Sequence, residues 1–182
     1  MVIRPSGFNI YLLFVGALIG LTGCQTPESK RESQIATVRI HLESTVEIPD
    51  KTEVVTICRS APMVVNVVKE PFLNESLLAM ASLVEEHGGF AIKLQFNHLG
   101  QTALEQCSAT NPNRRFAIRS QFGIEPNAED RWLAAPRIPR RITDGVLIFT
   151  PDASRDEAEE IVRGLNNHAE ANGEKLKVNS KP

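Results

Sequence analysis

The sequence predicts an α+β fold: a mixed β-sheet with helices packed mainly on one face, in a single two-layer sandwich domain. Three observations predict it. Apolar residues alternate through strand-length runs toward the N-terminal side, strand-helix-strand patterns with short connections recur in the middle, and a capped amphipathic helix closes the chain. Short connections favour right-handed crossovers, which set helices on the same face.

The elements follow in order. Residues 36–48 alternate, with Val38, Ile40 and Leu42 on one side and Arg39, His41 and Glu43 on the other, so this is a half-buried strand whose His41 faces solvent. Pro49-Asp50-Lys51 turns the chain into a strand over 53–59, and Ser60-Ala61-Pro62 breaks it before a Val-rich strand over 63–69. Asn74 then caps a predicted helix over 74–86, with Leu77, Met80, Ala81 and Val84 as its buried stripe and His87-Gly88-Gly89 as its stop. Residues 90–96 form the next strand. A helix over 100–111 turns Ala103, Leu104 and Cys107 inward and ends at Asn111-Pro112-Asn113. A strand over 115–121, a polar loop over 123–130, a short extended piece over 132–136 and a strand over 145–150 follow. Ser154 and Glu157 make a capping box for the last helix, whose stripe is Ala158, Ile161, Val162, Leu165 and Ala169 and whose end lies near Gly173.

Ahead of this domain, an uncharged apolar stretch over 10–21 follows a leader whose one charged side chain is Arg4. Such a stretch suits a signal h-region and is shorter than the ~20 residues a membrane-spanning helix needs. It runs into Leu21-Thr22-Gly23-Cys24, which resembles the bacterial lipobox, in which small residues admit the signal peptidase and the cysteine receives lipid. The resemblance implies a signal peptide over 1–23, lipid attachment at Cys24 and a location in the cell envelope facing the periplasm. Gln25 after the cysteine points to the outer rather than the inner membrane. The polar residues 24–35 read as a flexible tether, 36–173 as the folded domain and 174–182 as a disordered tail.

The chain of 182 residues has a formal charge of -2, which offers nothing to a polyanion, so no nucleic-acid partner is expected. The four histidines are scattered, with no His-Glu-x-x-His or Cys-x-x-Cys spacing, no Gly-x-Ser-x-Gly and no phosphate-binding glycine loop. No catalytic, metal or cofactor residue is therefore assigned, and no cofactor is expected. Cys58 and Cys107 are the two thiols beyond Cys24. An oxidising envelope favours pairing them, and burial as small hydrophobes is the alternative. Between Arg114 and Arg141 arginines outnumber acids, with Trp132 among them and prolines at 136 and 139. Trp132, Arg137, Arg140 and Arg141 form a possible binding surface for an anionic head group or an acidic, extended polypeptide; a solvated loop over a folded-in Trp132 is the alternative.

Over 63–172 the order of elements and four local motifs resemble the head subdomain of the first large periplasmic region of SecD, from the Sec protein-export machinery. The first is Asn74-Glu75-Ser76-Leu77 through Gly88-Gly89, in the place of that family's first head helix. The second is Leu94-Gln95-Phe96-Asn97-His98-Leu99-Gly100-Gln101-Thr102-Ala103-Leu104, with Leu104 where Phe is usual. The third is Ser108-Ala109-Thr110-Asn111-Pro112-Asn113-Arg114-Arg115-Phe116-Ala117-Ile118, with Ser108 for Thr, and the fourth is Ala135-Pro136-Arg137-Ile138 followed by Ile142 and Gly145. Departures are Arg119-Ser120-Gln121-Phe122 for an Asp-Gly turn, an extra loop over 124–130 and Ile148-Phe149-Thr150 for Ile-Thr-Gly. The resemblance implies a non-enzymatic, polypeptide-binding module whose partner is an unfolded chain, a Sec component or another envelope component. With no membrane-length apolar run after Leu21, such a head would lack the proton-driven motor that SecD carries. Two other readings are an adaptor lipoprotein for a fixed envelope partner and an envelope hydrolase built from residues distant in sequence.

Overall fold

The structure, a computed structural model, describes residues 34–173 except 60 and 125. The contacts divide the chain into residues 1–31 and residues 32–182, and the account below concerns the second unit. The expected signal peptide, Cys24, most of the tether and the tail over 174–182 lie outside the described residues.

The α+β class holds. Among the described residues, nine strands are ordered β1 (Thr37–Leu42), β2 (Thr52–Ile57), β3 (Met63–Val68), β4 (Leu73–Asn74), β5 (Leu78–Glu86), β6 (Gly89–Phe96), β7 (Phe116–Phe122), β8 (Glu129–Ala134) and β9 (Val146–Phe149). Two α-helices, α1 (His98–Thr110) and α2 (Arg155–Ala171), join them. The strands make a four-stranded sheet ordered β4-β1-β7-β8, a β2-β3 hairpin and a three-stranded sheet ordered β5-β6-β9. Every pairing among the described strands is antiparallel, so hairpins and long returns replace the parallel crossovers expected of a mixed sheet.

The helix expected over 74–86 is not there. Asn74 does cap, its side chain accepting from the Ser76 amide at 3.1 Å, but the turn it opens is a single 3-10 turn, Glu75–Leu77. Residues 78–86 then extend and pair with β6 from Leu78 opposite Phe96 to Glu86 opposite Gly89. The stripe Leu77, Met80, Ala81, Val84 suits a helix, but a ladder of eight residue pairs against β6 and burial beneath α2 override that preference. Gly88, at φ +90°, supplies the positive dihedral for the tight turn, so His87 sits in a hairpin and not at a helix end.

The main core gathers apolar residues of both larger sheets, including Ile40, Ile92, Leu94, Phe116, Ile118 and Leu147, with Leu104 of α1. The α2 stripe joins it as expected, with Ala158, Ile161, Leu165 and Ala169 buried and Val162 partly so. The capping box forms: the Glu157 amide donates to Ser154 Oγ at 3.2 Å, and the Ser154 amide donates to Glu157 Oε2 at 2.6 Å. A second cluster, Ile57, Val65, Val67, Ala117 and Ala135, joins the β2-β3 hairpin to the other face of the four-stranded sheet. That added layer corrects His41, which the alternation of β1 turns away from the main core but which the hairpin leaves only 4% exposed.

Candidate functional site

After β8 the chain runs through Ala135-Pro136-Arg137-Ile138 as a strand-like extension. The Phe116 amide donates to the Pro136 carbonyl at 3.0 Å, and the Ile138 amide donates to the Arg114 carbonyl at 2.9 Å, so Arg137 stands opposite Arg115. The stretch that follows is tied to α1. Ile142 donates its amide to Ser108 Oγ at 2.9 Å, and Gln101 donates from its side chain to the Thr143 carbonyl at 2.7 Å. Gly145 then turns the chain into β9 at φ +68°, where a Cβ would lie 2.9 Å from that of Gln101. Both the dihedral and the space require glycine there.

This path leaves an open groove of about 570 Å³ between residues 136–144 and Val146, Leu147 and Ile148 of β9. Arg137, Arg140 and Arg141 all line it. Arg137 donates to the Asn113 carbonyl at 2.8 Å and Arg141 forms an ion pair with Glu105, so two of the three guanidinium groups are positioned by the turn after α1 and by α1 itself. Asp144 is the one acid on the lining, and its carboxylate accepts from the Val146 amide at 3.1 Å. The groove therefore offers positive charge, prolines and apolar strand residues together, a combination suited to an acidic, extended ligand.

Trp132 is elsewhere. It lies on β8, packs partly buried on the hairpin cluster and meets the His41 ring edge-on at 5.0 Å. Arg119 stands over its indole at 5.8 Å and is itself held by Asp130, Nε to Oδ1 at 2.7 Å. The groove lining does not include it. The structure thus brings the three arginines together and gives Trp132 a packing role under the hairpin, one of the two roles open to it in the sequence.

The same cluster perturbs His41. Burial lowers the imidazole pKa below 6.5, against a hydrogen bond from Nδ1 to the Val68 carbonyl at 2.9 Å, and Nε2 has no partner among the described residues. Cys58 and Cys107 are free thiols, so the pairing that an oxidising envelope favours is not made. They pack in different clusters, Cys58 against the hairpin group and Cys107 against the main core, where burial raises its thiol pKa to about 11. Thiols so placed act as small hydrophobes. No group of three or more His, Cys, Asp or Glu among the described residues is placed to hold a metal ion.

What sequence reasoning missed is the placement of the strand beside the arginines. The strand expected over 145–150 is present as β9, but nothing in its sequence shows that it lies at the end of its sheet with Ile148 47% exposed. The available signal was its position: a short apolar run after a Pro- and Arg-rich segment is as consistent with an edge strand as with a central one.

No family model and no curated protein matches the sequence. Solved structures do. A structure of SecDF, described as a membrane component that enhances protein export, matches with a TM-score of 0.53 and 20% identity, over 81% of this chain and 70% of that one. SecDF in a super-membrane-facing form matches with a TM-score of 0.53 and 19% identity, over 78% of this chain and 21% of that one. At this identity the likeness concerns the fold: most of this chain takes up a SecD-like domain, the architecture found in SecDF.

Proposed function

We propose that this protein is a lipid-anchored component of the bacterial cell envelope whose SecD-like domain binds extended polypeptide without catalysing a reaction, in support of protein export. The observation that carries the reading is the SecDF-like fold over 81% of the chain, the matched protein being one that enhances protein export. The lipobox-like Leu21-Thr22-Gly23-Cys24 supports attachment through Cys24, and the arginine-lined groove supports a polypeptide ligand. Neither nucleotide nor metal enters the binding.

Two measurements test it. Intact mass of the protein from bacterial membranes should show loss of residues 1–23 together with added acyl chains, and Cys24→Ala should abolish both the added mass and detergent partitioning. The purified full chain in detergent should bind a reduced, carboxymethylated unfolded protein at roughly micromolar affinity or looser, since a flexible ligand must be ordered on a small surface. A failure to bind any unfolded chain, with one folded partner recovered instead, would favour the adaptor reading.

A further inference from the structure

The groove has a second property besides its charge, the free edge of β9. The Phe96 amide donates to the Gly145 carbonyl at 2.9 Å, and Leu147 and Phe149 stand opposite Leu94 and Ile92. Backbone polarity alternates along an antiparallel pair, so Leu147 and Phe149 direct their amides and carbonyls to β6, whereas Val146 and Ile148 direct theirs away from it. The Val146 amide is met by Asp144. The Ile148 amide and carbonyl meet no partner among the described residues, and both residues line the groove.

The opposite edge of this sheet is treated differently. Asn166 of α2 donates to the Ala81 carbonyl at 2.9 Å and accepts from the Ala81 amide at 2.8 Å, so a side-chain amide occupies the outward bonds of β5 at Ala81. An edge strand reading Val-Leu-Ile-Phe has no lysine or proline, and past the Val146 amide held by Asp144 its Ile148 main chain has no such cap, the devices that ordinarily keep other chains from pairing with an edge.

Charge selects the occupant. The chain's own residues 174–182 hold three lysines and one glutamate, and a second copy would bring the same three arginines; both have the wrong sign for this rim. We infer that the free edge of β9 accepts an extended, acidic segment of another polypeptide as an added strand, bonded through the Ile148 main chain, with its carboxylates against Arg137 and Arg140. The inference rests on the polypeptide-binding reading above and places that binding at one strand edge.

The test uses the full chain in detergent and the fluorescence anisotropy of a labelled peptide of about ten residues alternating valine and glutamate, a length that spans one strand. A peptide of the same sequence with consecutive N-methylated amides should bind at least about ten-fold more weakly, because its main chain has lost the donors needed for strand pairing. Ile148→Pro should weaken the unmethylated peptide to a similar degree and Ile148→Thr by no more than about three-fold, since only the first removes the outward N–H. A lysine-for-glutamate peptide should bind more weakly than the acidic one, and Arg137→Gln with Arg140→Gln should narrow that difference.

Equal binding of the methylated and unmethylated peptides overturns the edge-pairing inference and leaves polypeptide binding standing. It decides the matter even if Ile148→Pro fails to fold, because the protein is unaltered. If the carboxymethylated protein binds and the acidic peptide does not, the inference alone falls. If neither binds, the polypeptide-binding reading falls with it. Dimerisation without peptide, abolished by Ile148→Pro, would make a second copy the occupant and overturn the acidic partner.

Discussion

His41 sits between the four-stranded sheet and the hairpin with one ring nitrogen bonded to the Val68 carbonyl and the other without a partner among the described residues. Desolvation lowers its pKa, Glu53 opposes that shift, and Arg119 and Arg39 reinforce it. The unfolded chain therefore takes up this proton at a higher pH than the folded one. Stability from this residue is present above about pH 6.5 and is lost as the pH falls through the lower folded-state value, by up to ~1.4 kcal/mol per pH unit. Urea titrations at intervals between pH 7.5 and 5 should show that loss, and His41→Phe should flatten the part due to this residue.

Gly164 gives a second prediction at this scale. A Cβ placed there would lie 2.7 Å from the Ala36 amide nitrogen and 2.8 Å from the Ala36 Cβ, where the chain enters β1 across α2. Glycine to alanine within a helix ordinarily gains about 0.5–1 kcal/mol. Here the clash is with backbone, and Gly164→Ala should instead cost about 1–3 kcal/mol. A thermal melt decides the sign.

At the scale of elements, much was legible and the failures have physical causes. Residues 155–171 announce their helix because the capping box and the apolar stripe depend on local spacing alone, and both appear in the structure. Residues 78–86 deceive because alanine, leucine, methionine and glutamate favour a helix, whereas the partner that makes them a strand is β6 and the element that covers them is α2. The arginines of the groove were legible as a basic cluster. The free edge beside them was not, because sheet order is set by pairings distant in sequence. The link between α2 and β5 gives a test: Asn166→Leu removes the side-chain partner of both the Ala81 amide and its carbonyl, and should cost about 1–3 kcal/mol per buried group left unpaired. Denaturant midpoints would measure the cost, and light scattering would report strand pairing at the uncovered edge.

At the scale of the whole molecule, the described residues of the second unit hold two apolar clusters of unequal size. The larger joins both main sheets and both helices, while the smaller fastens the β2-β3 hairpin through five buried residues, with Cys58, Met63, Val55 and Trp132 packed around them. Val54 and Val64, on the hairpin's outer side, remain exposed. Free energies of local opening follow how much apolar surface an element shares with its neighbours. In hydrogen–deuterium exchange, amides of β2 and β3 should therefore acquire deuterium well before those of β6 and β7, and acid that protonates His41 should widen the gap. Uniform exchange across all four strands would mean that the molecule opens as one unit. With staged exchange, the hairpin would act as a detachable cover over Trp132, making the indole's fluorescence a reporter of a partly open form while the arginine-lined groove on the far side of Ala135 in the sequence keeps its shape.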